Sequence, residues 1–335
     1  MIGLLTAAVS FGALLYLAAL GELISEKAGI LNLGVEGMMA MGAVTGFMVA
    51  LETENAWLGL IVAMLVGALF ALIHGLFTVI LGAEQVVSGL SLTILGLGMS
   101  AYVGKNAVGR PPGAVLAPVD WGFLSDIPWV GPILFTQSPI VYFAVVCGIA
   151  TSFVLTRTRT GLALRGAGES ASTVDASGHS VVQLRLGAVA MGGALAGASG
   201  AYLTLSLTPQ WTEGVTAGRG WIAVALVIFG AWRPGKCAIG ALLFRRATSF
   251  EDQITNIWCR FFSDSSFYDP ICPHHRRSYC HFYSGQKPAF FCASCSRSGV
   301  PQRRKIVISE ESLKKTENNY LSKFIFLIFV HLMSA

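Results

Sequence analysis

Apolar residues run in long stretches through the first two thirds of the chain, and polar positions gather in short clusters between them instead of alternating with them. A helix rises about 1.5 Å per residue, so a stretch of about 20 apolar residues crosses a hydrocarbon core of about 30 Å. The pattern predicts about seven such spans, near 2–20, 30–51, 57–82, 86–104, 139–156, 184–206 and 219–244. The first is followed directly by a polar run and lacks the basic leader of a cleaved signal, so it reads as a retained helix. The expected fold class is all-α, a polytopic transmembrane helical bundle.

Composition strengthens this reading. The 335 residues are 54% hydrophobic and only 12% charged, with a mean hydropathy of +0.64, whereas soluble domains carry about 25% charged residues. Charge placement sets an orientation, because short loops rich in Lys and Arg stay in the cytoplasm. With 157–183 inside, the inner segments hold Lys27, Arg157, Arg159, Arg165, Arg185, Arg233 and Lys236, and the outer ones hold Lys105, Arg110 and Arg219. The amino terminus then starts outside, and the Pro- and Gly-containing stretch 105–138 is an outer loop.

The segment from Gly21 to Ala40 places Glu22, Glu26, Asn32 and Glu36 among apolar residues and four glycines. An ionised carboxylate facing lipid at the centre of a helix costs at least ~2.5–3.5 kcal/mol, so Glu36 is expected to face the bundle interior or a wet cavity. Gly42-x-x-x-Gly46 and Gly193-x-x-x-Gly197 put small residues one turn apart, a spacing that lets two helix backbones approach closely in lipid. His74, alone in an apolar helix, is expected to be packed or hydrogen-bonded inside the bundle. Among phosphate-binding signatures, Gly-x-x-x-x-Gly-Lys-Ser/Thr is missing, so ATP hydrolysis by that route is not expected of this chain.

The motifs GELISEKAGILNLGVEGMMAMGAVTG, GAEQVVSGL, RTGLALRGAGES followed by DASGHSV, and TAGRGWIAVALVIFGAWRPGKCAIGALLF occur in order through residues 20–244. Together they resemble the permease subunits of ATP-binding cassette (ABC) importers of the branched-chain amino acid and simple-sugar superfamily, most of all the nucleoside importers. The resemblance implies a transport component with no cofactor, no metal and no nucleic acid partner. It also implies an ATP-binding cassette ATPase subunit, a second permease subunit and an extracytoplasmic substrate-binding lipoprotein as partners, with a small polar solute such as a nucleoside as cargo and the bacterial inner membrane as location. Within the coupling loop 157–183, it assigns Gly161, Leu164, Arg165, Gly168 and Glu169 to the ATPase-docking surface. This chain has Ser170-Ala171 where the family commonly has Asn-Pro, which removes the proline signal for a helix boundary.

Candidates for the substrate path are Asn32, Glu36, Glu84, Gln85, Ser88 and Thr216, each of which puts hydrogen-bonding capacity in or at the edge of a span. Nucleoside hydroxyls and base edges could be met by these groups as donors and acceptors. The competing reading is that they cap broken helices and bond neighbouring backbone, which is the expected role for Arg219. Other cargo classes compatible with the motifs are simple sugars and branched-chain amino acids. The rival from another class is an ATPase-independent secondary transporter or channel, for which inverted repeats would be the sign; no convincing internal repeat is visible.

After Phe244 the composition changes. Residues 1–244, the expected permease domain, hold 36 of the 38 glycines and two of the seven cysteines; residues 245–335 hold 13 basic against seven acidic residues. Family members would continue with further hydrophobic spans, which this tail lacks. A shifted reading frame or a disordered tail is therefore expected here, in preference to a zinc cluster built on Cys272, His274, His275, Cys280, His281, Cys292 and Cys295, whose spacing is irregular.

Overall fold

The computed structural model describes residues 2–122, 125, 127 and 131–244, and all regular structure among them is helical. The helices are α1 (Ile2–Lys27), α2 (Val35–Thr53), α3 (Ala56–Gly75), α4 (Gln85–Gly104), α5 (Pro139–Arg157), α6 (Arg159–Glu169), α7 (Ala171–Ala176), α8 (Val181–Tyr202), α9 (Arg219–Phe229) and α10 (Pro234–Phe244). Wider π-helical turns extend α3 through Leu76–Ile80 and α8 through Leu203–Leu207. Residues 245–335, and with them the frame-shift and zinc readings, lie outside the described residues.

Among the described residues, six helices are long and apolar enough to cross a membrane, and they follow the predicted spans with three differences. First, α1 runs on to Lys27 and carries Glu22 and Glu26 inside it. Second, α2 begins at Val35, not near residue 30, because the chain between Lys27 and Val35 is not helical. Third, the predicted span 219–244 is two 11-residue helices, each about 16 Å long. The break falls at Gly230–Arg233, where Ala231 and Trp232 take left-handed φ angles of 48° and 53° and Pro234 supplies no N–H to continue the helix.

Helix starts follow local chemistry. The Asn55 side chain accepts from Trp57 N (3.0 Å) and Leu58 N (3.2 Å) at the start of α3, and Thr158 Oγ1 accepts from Gly161 N at 3.0 Å to open α6. Ser170, extended at φ −152°, separates α6 from α7 without any proline.

The core is organised around α8, which packs against α1, α2 and α3. Small residues make this possible. A Cβ added at Gly42 of α2 would sit 2.4 Å from Gly197 O of α8, and one at Gly67 of α3 would sit 2.2 Å from Gly193 O. Both glycine pairs seen in the sequence therefore lie at helix crossings, where lipid supplies no hydrophobic drive and close backbone contact is the main attraction. Leu65, Leu69, Leu72 and Leu76 form an exposed apolar stripe on α3, as a lipid- or partner-facing surface requires.

Gly197→Val inserts two methyl groups and a Cβ where backbone already touches backbone, and overpacking of this kind costs about 1–3 kcal/mol. The variant is expected to give a lower yield of monodisperse protein and a lower melting temperature in detergent, measured by size-exclusion chromatography and thermal denaturation.

Candidate functional site

The non-helical segment Ala28–Gly34 enters the bundle at one end and delivers the start of α2 to its interior. The added-Cβ positions of Gly37 and Gly96 show how deep: Gly37 abuts Leu92 and Thr93, and Gly96 abuts Gly37, near the middle of α4. Backbone groups at this depth have no water to bond, so each needs a partner from the protein.

Side chains from four helices supply those partners. Gln85 of α4 accepts from Leu31 N at 2.8 Å and donates to Gly29 O at 3.3 Å. Glu22 of α1 accepts from Asn32 N at 2.8 Å, and Thr93 donates to Leu33 O at 2.9 Å. His74 of α3 reaches Leu31 O at 3.2 Å through Nε2 and Ser88 Oγ at 3.0 Å through Nδ1; a carbonyl only accepts, so Nε2 carries a proton. Arg185 of α8 donates to Ala28 O at 3.1 Å. Asn32 closes the segment on itself, its Oδ1 accepting from Gly34 N at 3.0 Å.

Glu36, in the first turn of α2, sits where a second broken element meets the first. Its Oε1 accepts from Thr216 Oγ1 at 2.6 Å and Gly218 N at 2.9 Å, and its Oε2 accepts from Gly220 N at 2.6 Å. The carboxylate, 3% exposed, thus caps the N-terminus of α9, whose free N–H groups and dipole favour negative charge. Gly220 is required here, since a Cβ would lie 2.6 Å from Glu36 Cα. Arg219, at the same helix start, turns back onto Val215 O (2.5 Å) and Thr216 O (3.2 Å), and its guanidinium lies 5.7 Å from the centre of the Phe11 ring.

The substrate-path candidates therefore divide. Asn32, Glu36 and Thr216 are buried and bonded to the breaks, and Gln85 is half-buried and bonded to Gly29 and Leu31. Glu84 and Ser88 instead line a cleft of about 430 Å³ between α3 and α4, together with His74, Ser91, Phe77 and Leu95. That volume is in the range of small-molecule sites. Glu84 also caps α4 by accepting from Val86 N (3.3 Å) and Val87 N (2.9 Å).

The coupling-loop candidates divide too. Gly161 is buried against the end of α5, where a Cβ would lie 2.0 Å from Val154 O; Leu164 packs on the hydrophobic core and Arg165 is half-buried. Gly168 and Glu169 are exposed, although Gly168 also touches Lys27 and Gly29. The outward stripe of α6 is Arg159, Leu162 and Glu169. Leu162 is 64% exposed, at the helical spacing of three and seven residues from Arg159 and Glu169.

Glu36→Gln puts an amide NH₂ against one of the three donors that Glu36 now accepts, at a cost of about 1–3 kcal/mol for the bond left unmade. The expected result is a lower melting temperature and a lower maximal transport rate with unchanged KM for the solute, measured on purified protein and in uptake assays.

The family described as "Branched-chain amino acid transport system / permease component" matches residues 4–264, a range that continues past Phe244. The putative glucose ABC transporter permease protein TsgC13 of Haloferax volcanii is 42% identical over 247 residues, covering 72% of this chain and 74% of that protein. The nucleoside ABC transporter permease protein NupC of Lactococcus lactis subsp. cremoris is 33% identical, over 70% of this chain and 77% of its own length. The guanosine ABC transporter permease protein NupQ of Bacillus subtilis is 34% identical, over 71% and 78%. No solved structure matches the chain. The match across most of the described bundle, its six long apolar helices and the identity to three ABC permeases lead to one conclusion: this chain belongs to the branched-chain amino acid transport system permease family and is a multi-pass membrane transport component.

Proposed function

We propose that the chain is the permease subunit of an ABC importer that moves a nucleoside inward. The observation that carries this reading is the 33–34% identity to two permeases named for nucleoside and guanosine transport, extending over more than two thirds of each. The 42% identity to a putative glucose permease favours a second reading, import of a hexose. Both solutes present several hydroxyl groups on a compact ring, and Glu84, Ser88 and Ser91 around the cleft offer acceptors and donors for such groups.

Energy enters from a partner ATPase that grips α6. An amphipathic helix pinned on one side by Gly161 and Leu164 and presenting Arg159, Leu162 and Glu169 on the other suits a docking groove. A second permease copy or homologue covers part of the exposed apolar surface, and an extracytoplasmic lipoprotein delivers the solute to the opposite end.

Labelled uptake into cells or proteoliposomes carrying the permease with its neighbouring ATPase and binding protein tests the cargo. Guanosine or another nucleoside is expected to be taken up in an ATP-dependent way and to be competed by unlabelled nucleosides but not by glucose; the reverse pattern establishes the hexose reading. Leu162→Asp places a charge at the centre of the outward stripe and is expected to abolish uptake and co-purification of the ATPase while leaving membrane insertion unchanged. Arg165→Glu, half-buried beside that stripe, is expected to reduce uptake less severely. Normal uptake by Leu162→Asp would remove this face of α6 from the interface.

A further inference from the structure

One guanidinium joins α6 to the break between α1 and α2. Arg185, in the second turn of α8, donates from Nε to Ala28 O at 3.1 Å and from Nη2 to Ala167 O at 2.9 Å. Ala28 directly follows the last residue of α1, and Ala167 lies in the last turn of α6. The two acceptors are thus C-terminal carbonyls of two different helices, groups that lack onward helical donors and carry partial negative charge. A planar fork with several fixed N–H directions can serve both at once, which a single ammonium cannot match.

A second contact runs beside the first. A Cβ added at Gly168 would lie 2.5 Å from Lys27 O and 3.1 Å from Gly29 N, and one at Gly29 would lie 3.0 Å from Gly168 Cα and 3.4 Å from an Arg185 nitrogen. The end of α6 therefore rests directly on the end of α1 and the beginning of the break. From Ala28 the chain passes through the bonds to Gln85, His74 and Glu22, and reaches Glu36 and the α9 N-terminus eight residues on.

We propose that Arg185 is the positioning residue that makes α6 and the segment Ala28–Gly34 move together, so that displacement of the coupling helix is delivered to the junction of α2 and α9. The proposal rests on the reading of α6 as the ATPase-docking helix. Neither α6 nor the break has another side chain that bridges them among the described hydrogen bonds.

The test compares Arg185→Lys and Arg185→Met with the native chain in the complete transporter, reconstituted in proteoliposomes with its ATPase and binding protein. The readout is solute moved per ATP hydrolysed, because loss of folded protein lowers transport and hydrolysis in proportion and leaves the ratio unchanged. Arg185→Lys, which keeps the charge and is the milder change, is expected to lower the ratio roughly five-fold, and Arg185→Met by more, the range of ordinary coupling free energies. A native ratio in assembled Arg185→Lys overturns the proposal, as does a proportional fall of both activities. Amide hydrogen exchange on the permease alone provides an arm independent of the ATPase. Arg185→Lys should speed exchange at Gly29, Ile30 and Leu31, and unchanged protection there also overturns the clamp. If the native complex shows no ATP-driven uptake, the transport reading has failed, and the exchange arm still decides whether Arg185 holds the break.

Discussion

A backbone that leaves the helical path inside a membrane exposes N–H and C=O groups to a medium without water, and the cost of leaving each unpaired is several kcal/mol. Much of this structure follows from that constraint, applied at Ala28–Gly34. Gln85, His74, Thr93, Glu22 and Arg185 come from α4, α3, α4, α1 and α8, and each bonds a different part of the seven-residue segment. Residues that look out of place in an apolar sequence are thus the partners that the break needs. Their convergence also explains why α8 has a central position: it brings Arg185 to the break at one end and glycine contacts to α2 and α3 along its length.

The break has a second consequence, which is charge placement. By leaving the helical path from Ala28 to Gly34 and starting α2 at Val35, the chain brings Glu36 to the point where α9 begins. An isolated carboxylate there would be costly, and so would an uncapped helix N-terminus; three short hydrogen bonds satisfy both. In transporters with interrupted helices, such N-termini commonly meet an anionic group of the cargo. Here the protein's own carboxylate takes that position.

These features bind the short helices to the close-packed crossings. Helix crossings with glycine on glycine allow little sideways adjustment without a clash. The short helices α6 and α9 add close contacts of their own at Gly161, Gly168 and Gly220, and Glu26 bonds the Trp232 indole at the α9–α10 turn. Through Arg185, α6 is joined to the break, and through Glu36 the start of α2 is joined to α9.

Much of the fold was legible in the sequence. Long apolar runs determine helices of membrane length because no other open structure satisfies the backbone in lipid, and the family motifs identified the permease family. Gly42, Gly193 and Gly197 were legible as close-contact positions from their spacing alone. What the sequence did not determine was where an apolar stretch breaks: 30–34 is as apolar as the helices beside it, and 219–244 is long enough to span, yet neither is one continuous helix. Those breaks are stable only because groups distant in the chain, Gln85 with Leu31 and Glu36 with Gly220, arrive at the right depth. The same holds for the candidate site. Residue type showed that Asn32, Glu36 and Thr216 had hydrogen bonds to make, but whether these go to a solute or to the backbone depends on what tertiary packing places within about 3 Å of them.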